Sequence, residues 1–237
     1  MQDVVLMKTF VEPANLQEQY VRTYEVYNSH KKKELNGWLL IESSTKQDHA
    51  QGILIFNLSY TYLNINGEKK DGIFEAHYNK HENEVSLTNG NVHLEAVKGM
   101  RIGSLLMSCV IEWVRQWPEA AVKKIRLSDV DATNGMSENK NRRNRFYEQF
   151  GIEFEYRDDN KISGFSKKML VSGLVDNKNF LKEHDGNIER IDAFPDYLKS
   201  IMKKYEIEVR QKEFLQNKLK EIESHSVYKL LKTFNIL

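Results

Sequence analysis

The chain has 237 residues, of which 40% are hydrophobic, 11% aromatic and 29% charged. Its 11 Phe, 11 Tyr and 3 Trp can build a packed core, which excludes a wholly disordered chain, while 3 Pro and 12 Gly exclude collagen-like and Pro-rich classes. With 35 basic against 34 acidic residues the formal charge is +1, so no global field draws the chain onto nucleic acid or an anionic membrane.

A single cysteine, Cys109, excludes an internal disulfide, a CxxC redox pair and a cysteine-rich zinc site. The N-terminal stretch lacks the basic region, the long apolar run and the small-residue cleavage site of a secretory signal. No apolar run approaches the roughly 18–20 residues that span a bilayer. A cytoplasmic location with no membrane span is the expectation.

Stretches rich in β-branched and aromatic residues predict strands at 19–28, 35–42, 52–65, 73–78 and 84–97. Asn-Gly pairs at 36–37, 66–67 and 89–90 signal turns, and the segment around Asn66-Gly67 and Asp71-Gly72 reads as a long antiparallel hairpin. After Gly99 the pattern changes. Ile102, Leu105, Leu106, Cys109, Val110, Trp113, Val114 and Trp117 recur at helical spacing and form one apolar stripe, which Pro118 ends. Cys109 lies inside that stripe, as a core thiol rather than a nucleophile. Residues 124–130 alternate as a strand. A helix follows over about 137–150, with Ser137 at its N-cap and Gly151 at its C-cap. Strands are predicted at 152–157 and 164–170.

This order predicts an α+β fold with a mixed, mostly antiparallel central sheet and flanking helices: an antiparallel meander followed by a βαβ unit. Residues 1–171 read as one domain and 172–237 as a helical extension. Pro195 precedes a long helix over 196–224. There Leu198, Ile201, Tyr205, Leu215, Leu219 and Ile222 fall on a heptad-like seam that Glu208 and Lys212 interrupt. The extension offers a homodimer contact through 196–224, a cap over an acceptor site, or a helix packed on its own domain. Its final amphipathic segment carries two lysines, a modest attraction to a membrane surface.

Two segments carry the chemistry. The first is Lys98-Gly99-Met100-Arg101-Ile102-Gly103-Ser104, between a strand and an amphipathic helix. A glycine-containing turn there aims free backbone N–H groups and the positive end of the helix dipole at a phosphate or pyrophosphate. Neither a G-x-G-x-x-G nor a Walker A pattern is present. The second is Asn141-Arg142-Arg143-Asn144-Arg145-Phe146-Tyr147-Glu148-Gln149-Phe150-Gly151-Ile152.

Together these segments resemble the GNAT superfamily of N-acetyltransferases, over about residues 50–170. The acetyl-CoA loop of that superfamily has Gln or Arg, then two variable residues, Gly, one variable residue, and Gly or Ala, and it opens a helix. Lys98 stands at the first position and Gly103 at the last. Phe146-Tyr147-Glu148-Gln149-Phe150-Gly151-Ile152 matches a second segment at the end of a downstream helix. Two positions depart from the pattern. Arg101 occupies the middle glycine and, as a side chain with a Cβ, resists positive φ. Met100 stands where a basic residue is usual. A different loop backbone, or fewer N–H groups on the pyrophosphate, is therefore expected.

The resemblance implies a cosubstrate, acetyl-CoA, held by Val97, Lys98, Gly99, Met100, Arg101, Ile102, Gly103 and Ser104, with Asn141 and Asn144 on the second helix. It implies direct attack of an amine on the thioester in a ternary complex, no metal, and Tyr147 as the general acid that protonates the leaving thiolate. The amine must lose a proton, so a carboxylate or an ordered water is expected nearby. Glu95 is the first candidate and Glu75 the second, with His93 and His77 behind them. Lys140, Arg142, Arg143 and Arg145 form a basic cluster that suits the 3′-phosphate of CoA or an acidic substrate. Sparse aromatics there make nucleic acid the less favoured partner. The acceptor amine stays open, from a peptide N-terminus or lysine to a polyamine, an aminoglycoside or a charged tRNA. The competing reading is a non-catalytic module that keeps this fold and assembles through its C-terminal helices.

Overall fold

The computed structural model describes residues 20–27, 34–88, 100–127, 137–178, 181 and 188–224, with the backbone alone for 137–139. Its contacts divide into two compact units, Met1–Arg190 and Ile191–Leu237.

The first unit is an α+β layer structure. Strands β1 (Tyr20–Tyr27), β2 (Leu35–Asp48), β3 (Ile53–Asn64), β4 (Lys69–Asn79) and β5 (Glu84–Ser86) form an antiparallel meander. Helix α1 (Ile102–Val114) then crosses over to β6 (Ala121–Val122), which pairs parallel with β5, Val85 opposite Val122. That is the expected βαβ unit. Strand β7 (Arg126–Leu127), helix α2 (Ser137–Glu148), and strands β8 (Phe154–Tyr156) and β9 (Gly164–Ser166) complete a second, smaller sheet in the order β7-β9-β8. Strand β10 (Ile188–Ile191) lies on the far edge of the main sheet, beside β1.

Three turns of the meander, those that follow β2, β3 and β4, share one device. The last residue of each of three strands, Asp48, Asn64 or Asn79, folds its side-chain oxygen back onto two backbone N–H groups of the turn, at 2.9–3.2 Å. A short polar side chain replaces backbone partners that a tight reversal would otherwise leave unsatisfied. Gly67 sits in the second of these turns at φ 85°, as the Asn-Gly signal at 66–67 predicts. The pair at 36–37 is different: it lies inside β2, where Gly37 is buried and faces the backbone of Leu63 and Asn64 so closely that a Cβ would collide. The pair at 89–90 lies outside the described residues.

One face of the main sheet is apolar by strict alternation. Tyr24 and Val26, Leu39 and Ile41, Phe56 to Tyr62 in steps of two, and Phe74, Ala76 and Val85 are buried there. Helix α1 packs onto it, with Trp113 stacked on Phe56 at 4.9 Å and Trp117 on Tyr78 at 4.0 Å. The helix ends at Val114, short of the expected Trp117, which is carried by the turn that follows.

Of the strand expected at 124–130, Arg126–Leu127 form β7 in the small sheet and 128–130 lie outside the described residues. Ala121–Val122, just before that range, belong to the main sheet, because the chain changes sheets between the two pieces. The residues between stay paired: Lys123 donates to the carbonyl of Val85, and Ile125 exchanges bonds with Ser166. Opposite them, the chain from Gly164 to Val171 runs antiparallel to both pieces, with bonds from Val122 to the Met169 carbonyl and from Val171 to the Ala120 carbonyl. Described residues beyond 171 contribute to the first unit as well. Leu174 and Ile188 belong to its core, and β10 borders its main sheet.

The second unit contains α3 (Phe194–Ser224), 31 residues long with none buried. Leu198, Tyr205, Leu215, Leu219 and Ile222 are all more than 40% exposed.

Candidate functional site

The turn into α1 is described from Met100 onward; Val97, Lys98 and Gly99 lie outside the described residues, as do Glu95 and His93. Arg101 is the N-cap and takes a left-handed conformation, φ 58° and ψ 11°, with no side-chain hydrogen bond capping the helix. An arginine resists positive φ, yet here it adopts the glycine-like backbone with a Cβ present. A helix that has just begun leaves its first N–H groups without intrahelical acceptors. Among the described residues, the N–H groups of Ile102, Gly103 and Ser104 have no partner, and the first helical bond runs from Leu105 to the Arg101 carbonyl. Ile102 is fully buried and pins the turn to the core, Gly103 is half-buried, and Ser104 is buried beneath it. No side chain at Gly103 shields the donors, and the dipole of α1 adds partial positive charge at the same point.

The second segment ends α2 in a double reversal. Ile152 donates to the carbonyl of Tyr147 at 3.4 Å and Gly151 to that of Glu148 at 3.0 Å, with Gly151 at φ 80°. This pair of bonds is the Schellman cap, which needs a residue at ease in the left-handed region. It buries Phe150 and Ile152 and leaves Tyr147 half-buried, edge-on to Phe146 at 5.1 Å and to Phe154 at 5.7 Å.

The two segments are joined. Gln149 donates from Nε2 to Ser104 Oγ at 3.1 Å, and also to the carbonyl of Phe146. The residue that follows the last turn of α2 thus ties it to the first turn of α1. In the sequence Gln149 is only one letter of a motif; nothing in its spacing from Ser104 marks the contact.

The basic cluster on α2 has a different environment. Three successive carbonyls in the β8–β9 loop are held by side chains of this helix: that of Asn160 by Lys140 at 2.7 Å, Lys161 by Asn144 at 3.1 Å, and Ile162 by Arg143 at 2.7 Å. Arg143 also donates to the side-chain oxygen of Asn144, which is buried. Asp158 closes the loop from inside by accepting the N–H groups of Ile162 and Ser163, which holds its carboxyl below the usual range. Asn141, Arg142 and Arg145 are exposed.

Glu75 and His77 are brought together on β4, with Glu75 Oε1 at 2.8 Å from His77 Nε2 and both half-buried. Strand alternation puts them on the face opposite Phe74, Ala76 and Tyr78, and so opposite the face α1 covers. Cys109 is buried, and burial pushes its thiol above its ordinary value, consistent with a core residue. Among the described residues, no three His, Cys, Asp or Glu side chains gather as a metal site, and no helix is long and apolar enough to cross a membrane.

No protein-family model, no curated protein and no solved structure matches this chain.

Proposed function

We propose that the chain is a cytoplasmic N-acetyltransferase of the GNAT type, which transfers an acetyl group from acetyl-CoA to an amine bound beside it. The observation that carries this reading is the start of α1, where three N–H groups without a partner among the described residues open a helix behind the left-handed Arg101. Such a start suits a pyrophosphate, which accepts several hydrogen bonds at once and gains from the dipole. The tie between Ser104 and Gln149 supports it further, since it joins the two segments that carry the resemblance, and so does the parallel β5–α1–β6 unit, whose helix the first segment opens.

In this reading the neutral amine attacks the thioester carbonyl. A C–N bond forms, the carbonyl oxygen takes the developing charge, and the C–S bond then breaks. Tyr147 gives its phenolic proton to the departing thiolate, and the nitrogen loses its proton to a carboxylate or a water, with Glu95 and then Glu75 as candidate bases. Holding both reactants in one geometry removes much of the entropic barrier, so juxtaposition is the main contribution of the protein.

Calorimetric titration of the full chain with acetyl-CoA tests the reading. Binding is expected, and Gly103→Val, which puts a branched side chain among the three N–H groups, is expected to abolish it while leaving the fold intact. Absence of binding to the wild-type chain overturns the reading. A second reading, a non-catalytic module that assembles through its C-terminal helix, is favoured by the fact that α3 buries none of its apolar residues. Acetyl-CoA binding without transfer to any amine would support it.

A further inference from the structure

The apolar seam of α3 has a symmetry that its two interrupting charges complete. Leu198, Ile201, Tyr205, Glu208, Lys212, Leu215, Leu219 and Ile222 follow one another at alternating spacings of three and four residues, the spacing of the a and d positions of a coiled coil. These positions mirror one another about residue 210. Leu198 lies as far before it as Ile222 lies after it; Ile201 matches Leu219, Tyr205 matches Leu215, and Glu208 matches Lys212. In every matched pair one member is an a position and the other a d position, which is the layering of two antiparallel helices.

We infer that α3 pairs with α3 of a second copy of this chain, antiparallel, about a two-fold axis at residue 210. Glu208 then meets Lys212 of the partner subunit, and Lys212 meets Glu208 of the partner subunit, between two apolar halves built from the other six positions. Charge complementarity sets the direction. A parallel pair in register would put Glu208 against its own copy and Lys212 against its own, two like-charge layers at the centre of the seam. The face is available: none of α3 is buried, and among the described residues neither Glu208 nor Lys212 has an ion pair. The inference is independent of the acetyltransferase reading.

Sedimentation of the full chain tests it, with Glu208→Lys, Lys212→Glu and the double swap. The wild-type chain is expected to be a dimer. Each single reversal is expected to weaken association by at least about tenfold, because the two-fold axis repeats the repulsion, and the double swap to restore it. Direction is read from a spin label at Lys199→Cys in a Cys109→Ala background. An antiparallel pair separates the two labels by about 33 Å along the axis, from 22 intervening steps of about 1.5 Å. A parallel pair brings them to about 10–15 Å, set by the distance between helix axes. A monomeric wild-type chain, a swap that associates no better than the single reversals, or the short label distance would each overturn the inference.

Discussion

Leu105 closes the first turn of α1 by donating its N–H to the carbonyl of Arg101 at 3.1 Å, and Arg101 itself stands at φ 58°. One residue thus takes the left-handed conformation and starts a helix. The left-handed region is disfavoured for any side chain with a Cβ, since that carbon approaches the following carbonyl. Ile102, fully buried just after it, and the stack of Trp113 on Phe56 further along fix where α1 must begin. The core therefore holds Arg101 in a conformation that its own preference opposes.

Arg101→Gly removes that conflict. Relief of the left-handed strain outweighs the entropy that glycine adds to the unfolded chain, and a net stabilisation of about 0.5–1 kcal/mol is expected. Urea unfolding of the two proteins measures it. A glycine variant less stable than wild type would mean that the contacts of the arginine side chain exceed the strain.

Tyr147→Phe removes the hydroxyl and keeps the ring against Phe146 and Phe154. If the phenol protonates the leaving thiolate, single-turnover transfer falls by about 10²–10⁴-fold while acetyl-CoA affinity is unchanged. If the tyrosine only packs, turnover is retained and at most about 1 kcal/mol of stability is lost. Single-turnover rates and melting temperature on the same variant separate the two.

Alkaline pH should unfold the protein through its tyrosines. Burial is the largest cause of a raised phenol pKa at Tyr20, Tyr24, Tyr27, Tyr60 and Tyr62. Tyr156 is pushed up to about 12 by burial and then by its hydrogen bond to Glu148. A pKa raised on folding means that the folded state holds the proton more tightly. The stabilisation is complete below the ordinary value of about 10 and is lost as pH rises from there through the folded-state value. The urea midpoint is therefore expected to be level up to about pH 9 and to fall above pH 10, with tyrosinate absorbance rising in the same step. Tyr156→Phe should make the fall between about pH 10 and 12 shallower.

Much of this fold is legible in the sequence where a pattern is long enough to repeat. Phe56, Leu58, Tyr60 and Tyr62 alternate on β3, and the stripe from Ile102 to Val114 has one helical period; both are local and both are found. The parts that escape are set by distant partners. Ala121–Val122 and Arg126–Leu127 are two residues each, too short to alternate, and their division exists only because two different sheets receive them. Asn36-Gly37 has the composition of a turn, yet the close backbone of Leu63 uses the glycine inside a strand. Ile188–Ile191 becomes a strand because β1 offers it an edge. At the site, the two segments can be read from their residues, whereas the bond from Gln149 to Ser104 and the left-handed Arg101 arise from packing that no local spacing records.

The position of β10 beside β1 also bears on the order in which the protein is made. β1 to β4 are neighbours in sequence and pair in that order, so each can pair as it emerges. The outer edge of β1 must then wait for Ile188–Ile191, more than 160 residues later, and β6 and β7 must wait for the stretch from Gly164 to Val171. Closing such long loops is slow relative to local pairing, and an open strand edge is a template for the wrong neighbour. The meander is thus the early, self-sufficient part of the first unit. Its completion is a late event at both borders of the sheet, and a nascent chain stalled between residues 127 and 164 would present both borders unfinished.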